Sequence, residues 1–125
     1  MKRVGQSPLT CLTLLAALLM AALTQPLAVV KSEASVQLEF GIKMATKGLW
    51  REAVLRFEKA SRLDSGNAVT FNNLAVAYES LGRFDQAREA YAKALSLSPS
   101  DRRIQENQKR FLAFFATLPR GSHAP

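Results

Sequence analysis

The side chains that could catalyse a reaction are few and far apart in this sequence. Cys11 and His123 are its single cysteine and histidine, and they lie near opposite ends of the 125 residues. A Cys–His nucleophile pair or a zinc site built from these two side chains is therefore not expected. The acidic residues are scattered, with no metal-ligand spacing and no glycine-rich phosphate loop. The sequence predicts a protein that is not an enzyme and that binds no metal or cofactor.

Two adjacent asparagines are better suited to binding than to catalysis. Asn72 and Asn73 each carry an amide that can donate and accept hydrogen bonds along a peptide backbone. The alternative is that both belong to an ordinary polar helix surface.

A second polar group consists of basic residues close to the C-terminus. Arg102 and Arg103 are followed seven residues later by Lys109 and Arg110, and a spacing of seven puts residues on one helix face. Together with Phe114 they form a basic strip. The strip predicts either a capping helix with a solvated face or a docking helix for a partner's groove or an anionic membrane surface.

These residues belong to a sequence that repeats itself with a period of 34 residues. Sliding the chain by one period aligns Gly82 with Gly48 and Tyr91 with Phe57, and small residues match small ones throughout. Apolar residues at spacings of three and four predict a pair of helices in each copy. The predicted structural positions are Gly41, Gly48, Trp50, Ala53, Phe57, Ala60, Ala75, Tyr78, Gly82, Ala87, Tyr91, Ala94 and Pro99.

The repeats divide the chain into segments. Residues 34–67 and 68–101 are the two helical hairpins, and residues 102–118 form a single capping helix before a disordered tail at 119–125. Small residues are expected where helices cross closely, with aromatic rings filling the adjacent holes.

This period and pattern resemble the tetratricopeptide repeat family. The family's small residue, turn glycine, alanines, ring and proline appear in the second copy, whereas Ser65 stands where the first copy should have proline. The resemblance implies an all-α superhelix of helical hairpins without enzymatic activity, whose first helices line a groove for a protein partner. Carried onto this sequence, the groove positions are Leu38, Ile42, Asn72, Asn73, Val76, Glu79, Arg103 and Asn107.

One subgroup of the family binds the C-terminal carboxylate of a chaperone. Asn73 stands where those members also carry asparagine, but Leu38 and Ile42 replace their lysine and asparagine. The resemblance therefore supports a peptide groove more strongly than it supports that particular ligand.

The N-terminal segment predicts transport across or into a membrane. Lys2 and Arg3 precede an apolar run, and no charged residue occurs from Leu9 to Val30, a stretch of 22 residues. The layout suits a signal peptide, and the length suits an uncleaved anchor. Residues 1–33 are left as either of the two, and in both cases the rest of the chain is exported or faces the non-cytoplasmic side.

The sequence thus predicts an exported or membrane-anchored scaffold that binds an extended peptide or a subunit and aids assembly of an envelope complex. The alternative is a membrane-surface component whose basic C-terminal helix binds anionic lipid. Two repeats fall short of the roughly three that such arrays need, so self-association is also expected. Nucleic acid is not an expected partner, because the net charge of +7 is spread along an exported chain.

Overall fold

The computed structural model describes residues 30–119, and in this range all regular structure is helical. Five helices follow one another: α1 (Glu33–Thr46), α2 (Trp50–Leu63), α3 (Ala68–Ser80), α4 (Phe84–Leu97) and α5 (Arg102–Phe115). The predicted all-α fold of two helical hairpins and a single C-terminal helix is confirmed. Residues 1–29 of the expected leader or anchor and residues 120–125 of the tail lie outside the described residues. Within residues 30–119, no helix is long and apolar enough to span a membrane.

Polar side chains start the first helix of each unit. Ser32, Asn67 and Asp101 lie at the N-caps of α1, α3 and α5, and each accepts a hydrogen bond from a backbone N–H of the first turn. Such caps satisfy donors that have no partner inside the helix. They fix where each of these helices begins, and therefore which residues face the neighbouring helices.

Glycines make the turn within each hairpin. Gly48 and Gly82 have φ of +73° and +72°, a left-handed conformation that favours glycine. The turns share their hydrogen bonds, since the Leu49 N–H donates to the Met44 carbonyl at 3.0 Å and the Arg83 N–H to the Tyr78 carbonyl at 2.9 Å. The 34-residue repeat in the sequence therefore corresponds to a repeated backbone geometry.

Small residues and aromatic rings build the core together. The Phe57 ring is fully buried and lies so close to Gly41 that a Cβ there would be 2.5 Å from the ring. Alanines 53, 60, 75, 87 and 94 are all completely buried as well. The first hairpin packs on the second through contacts between α2 and α3. Helix α3 also contacts both α1 and α5. The first helices thus lie side by side and form one surface.

The last helix closes the second hairpin. Ile104 and Phe111 of α5 are fully buried, and the Phe111 ring lies 5.3 Å from the Tyr91 ring of α4. These contacts cover apolar surface that a further repeat would otherwise cover, which is the role of a terminal cap in repeat arrays. They also position the outer side chains of α5 beside those of α3.

Candidate functional site

A groove crosses the three first helices, α1, α3 and α5, and one of its two pockets is apolar. This apolar pocket has a volume of about 240 Å³. It is lined by Ile42, Ala45, Thr46, Trp50, Phe57, Asn73 and Val76. The pocket is therefore made by α1 and α3, with the rings of α2 behind them.

The groove continues into a charged pocket between α3 and α5. This pocket has a volume of about 350 Å³. It is lined by Val76, Glu79, Ser80, Phe84, Arg110 and Phe114. Because Val76 lines both pockets, they are neighbours in one continuous groove.

The two charged side chains of the charged pocket, Glu79 and Arg110, are each hydrogen bonded to a neutral side chain. The Tyr91 hydroxyl donates to Glu79 Oε2 at 2.9 Å. Burial, followed by this hydrogen bond and the charge of Glu79, raises the pKa of Tyr91, so the hydroxyl keeps its proton. On the other wall, Arg110 Nη2 donates to Asn107 Oδ1 at 3.3 Å.

Four of the predicted groove residues lie in these pockets. Ile42 and Asn73 line the apolar pocket, Glu79 lines the charged one, and Val76 lines both. Asn73 is half-buried, and its side chain has no hydrogen-bond partner among residues 30–119. Its amide is therefore available to the backbone of a ligand.

The other predicted groove residues lie outside the two pockets, and the prediction for Asn72 is wrong because its side chain is buried. Asn72 is only 5% exposed, and its Oδ1 accepts a hydrogen bond from Asn107 Nδ2 at 3.0 Å. This hydrogen bond joins α3 to α5 and satisfies the buried amide oxygen of Asn72. Leu38 packs against the core outside both pockets. Arg103 is exposed on α5 and lines neither pocket.

The predicted basic strip is divided between two directions. Arg103 and Arg110 share one helix face, and Arg102 and Lys109 lie about 100° away from them around the helix axis. All three of Arg102, Lys109 and Arg110 are exposed, but only Arg110 lines a pocket of the groove. Of the four basic residues, only Arg110 therefore lines the groove.

The sequence did not predict several of the residues that line the two pockets. Phe114 was assigned only to the basic strip, yet it lines the charged pocket, and its ring lies 5.5 Å from that of Phe84. Trp50 and Phe57 were assigned to structure, yet both border the apolar pocket. A usable signal existed for Arg110, because it follows the predicted groove residue Arg103 by seven.

The groove residues described above do not form a metal site. In the described part of the chain, no cluster of three or more His, Cys, Asp or Glu side chains could hold a metal ion. The arrangement offers an apolar pocket lined in part by the Asn73 amide and, next to it, a pocket that contains the Arg110 guanidinium. These groups suit recognition of an extended polypeptide.

Comparison with known sequences places the second hairpin in a family. The tetratricopeptide repeat family model matches residues 68–101. Two curated relatives from Plasmodium falciparum, the second from isolate 3D7, both carry the name Hsp70-Hsp90 organising protein. Each is 39% identical over 67 residues, or 54% of this chain. The chain spans only 27% and 12% of the length of these relatives.

Solved structures show the same fold. The Arabidopsis OM64 TPR domain superposes with a TM-score of 0.63 at 23% identity, covering 66% of this chain and 69% of that one. The second TPR of Spaghetti (RPAP3), bound to the HSP90 peptide SRMEEVD, gives 0.65 at 19% identity, covering 68% and 79%. Residues 68–101 thus match the tetratricopeptide repeat family, and the solved structures show that the described part of the chain shares the fold of TPR domains.

Proposed function

We propose that this protein is a non-enzymatic interaction module that binds an extended peptide segment of a partner protein across α1, α3 and α5. The observation that carries the proposal is the continuous groove formed by the apolar and charged pockets, which share Val76. An extended segment places alternate side chains on one side, about 6.6 Å apart, so two neighbouring pockets suit alternate residues.

The apolar pocket supports a large aliphatic or aromatic anchor on the ligand. Ile42 is 41% exposed at its edge, and Trp50 and Val76 are half-buried around it. A ligand side chain placed there would remove these apolar surfaces from water, which favours binding. Asn73 beside it offers hydrogen bonds to the ligand backbone.

The relatives support a peptide partner and leave its identity open. The Spaghetti domain carries an HSP90 peptide, and the curated relatives are named as organisers of Hsp70 and Hsp90. In this chain, Leu38 and Ile42 replace the polar pair that the chaperone-binding subgroup uses for a terminal carboxylate. We therefore propose an internal segment of the partner as the ligand, recognised through its apolar anchor.

Fluorescence anisotropy with short labelled peptides tests this function. The probe has blocked termini and alternating Glu and Leu residues, and the reference peptide has Ser in place of each Leu. The expected result is that the leucine peptide binds at least about tenfold more tightly, as burial of one or two anchors implies. Equal binding of the two peptides by the full-length protein would refute the apolar anchor.

We further propose that the module acts outside the cytoplasm, exported or anchored by residues 1–33, and aids assembly of an envelope complex. The support is the charge-free apolar run after Lys2 and Arg3. N-terminal sequencing of the mature protein, with fractionation of the producing cells, tests it. A cytoplasmic chain that retains its initial residues would contradict export.

Self-association is a related proposal for the outer face of the first hairpin. Val36 and Phe40 are 46% and 39% exposed there, whereas Thr70 and Leu74, their counterparts one repeat later, are buried against α2. The uncovered face therefore offers the surface on which a further helix stacks in longer arrays. Sedimentation velocity at increasing concentration tests it, and a monomer at all concentrations would contradict it.

A second candidate function is binding of α5 to anionic lipid. It is favoured by Arg102 and Lys109, which are exposed and make no ion pair within residues 30–119, and by Leu112, which is 41% exposed. Binding to vesicles of anionic and neutral lipid, compared between wild type and Arg102→Gln/Lys109→Gln, separates the two functions. Equal vesicle binding by both proteins would remove α5 from this role.

A further inference from the structure

The charged pocket contains a carboxylate and a guanidinium that do not pair with each other. Glu79 and Arg110 line the same pocket, yet neither forms an ion pair with any described residue. Instead, Glu79 accepts a hydrogen bond from the Tyr91 hydroxyl, and Arg110 donates a hydrogen bond to Asn107. Since a guanidinium has five N–H donors, this one hydrogen bond leaves Arg110 able to bind a ligand carboxylate.

Tyr91 and Asn107, the neutral partners of these two charges, each contact a buried side chain. Tyr91 is completely buried against Phe111, so its hydroxyl has a set position. Asn107 donates to Asn72, which is itself 5% exposed in the α3–α5 interface. These buried side chains therefore fix the hydrogen bonds that Glu79 and Arg110 make in place of an ion pair with each other.

The surrounding charges favour an acidic ligand. Helix α5 carries four basic residues and a single acidic one, Glu106, and none of its four cations has an ion-pair partner in the described chain. Elsewhere in residues 30–119, pairs such as Lys59–Glu33, at 2.6 Å, neutralise basic side chains. Helix α5 therefore adds a net positive charge beside the charged pocket, and its field would attract a carboxylate towards Arg110.

We propose that Arg110 binds an acidic side chain of the peptide ligand, two residues along the extended segment from the apolar anchor. Tyr91 and Asn107 are positioning residues, because they keep Glu79 and Arg110 from neutralising each other. This inference rests on the proposed function, since it assigns a specificity to the same groove. In this proposal, the buried Asn72 orients Asn107 by accepting its hydrogen bond.

The test compares an acidic with a neutral peptide. Both are labelled, have blocked termini and contain one Leu, with Glu in the acidic peptide and Gln in the neutral peptide two residues further on. The full-length wild type should prefer the acidic peptide about fivefold, as for a partly exposed charge pair. Tyr91→Phe should remove this preference, because Glu79 is released to pair with Arg110, while affinity for the neutral peptide persists. Adding Glu79→Gln to Tyr91→Phe should restore the preference.

Tyr78→Phe is the matched control. The Tyr78 hydroxyl donates to Glu58 at 2.6 Å, and neither residue lines the groove, so this variant should keep the preference. The inference is overturned if Tyr91→Phe keeps the preference, if it weakens both peptides equally, or if Glu79→Gln fails to rescue it. Wild type that binds both peptides equally overturns this inference alone. Wild type that binds neither overturns the proposed function.

Discussion

Ile42→Ala is the substitution that most cleanly separates binding from folding. Ile42 lies at the edge of the apolar pocket and is 41% exposed, so a ligand could bury about two fifths of its side chain. Burying a whole isoleucine side chain contributes about 1.5–3 kcal/mol, so the exposed part contributes about 1 kcal/mol. The dissociation constant for the leucine-containing peptide should therefore rise about fivefold.

The assay is fluorescence anisotropy with the blocked-terminus leucine peptide, accompanied by urea unfolding of each variant. Leu55→Ala is the matched control, since Leu55 is 58% exposed on α2 and lines neither pocket of the groove. Both variants should unfold within about 1 kcal/mol of wild type, because neither residue is buried. Only Ile42→Ala should lose affinity.

The reasoning is refuted if Ile42→Ala and Leu55→Ala have the same affinity for the peptide. It is also refuted if Ile42→Ala weakens the serine reference peptide as much as the leucine peptide, because the effect would then not depend on an apolar anchor.

Three further predictions concern the fold that builds the groove. Burial, strengthened by Glu58 and Glu79, raises the pKa of both tyrosines, Tyr78 and Tyr91. Their protonated forms therefore stabilise the fold below the unfolded pKa of about 10, and stability should fall as pH rises above it; tyrosinate absorbance that appears with a midpoint near pH 10 in the native protein would contradict this. Gly41→Ala should lower the free energy of unfolding by about 1 kcal/mol in urea, because overpacking against Phe57 outweighs the gain in helix propensity; a more stable variant would show that the ring moves freely. Asp101→Ala should cost about 1 kcal/mol, because the Arg103 and Ile104 N–H groups lose their cap, whereas Asp101→Asn should retain most of it; equal loss in both variants would point to the charge instead of the cap.

The fold could be predicted from the sequence because its determinants are local and repeated. Gly48 and Gly82 end α1 and α3 through a conformation that favours glycine, and Asn67 and Asp101 cap the starts of α3 and α5. The period of 34 residues then fixes which helix follows which. The close approach of Gly41 to Phe57 agrees with the expected pairing of small residues and rings.

The site was less predictable because it depends on side-chain partners from different helices. Asn72 and Asn73 are adjacent and chemically identical, yet Asn72 is buried against Asn107 while Asn73 faces the apolar pocket. A helix turn of about 100° per residue separates the two, and the sequence does not show which one faces the neighbouring helix. Nor does it show that Tyr91 holds Glu79, since that hydrogen bond depends on how α4 packs on α3.

The most direct measurement is an amide NMR titration of the full-length, isotope-labelled protein with the leucine-containing peptide. The predicted result is a set of shifted resonances on α1, α3 and α5 around Ile42, Asn73, Val76 and Arg110, with α2 and α4 changed mainly where they border the pockets. Shifts confined to the exposed faces of α2 and α4, or no shifts at saturating peptide, would contradict binding in the groove.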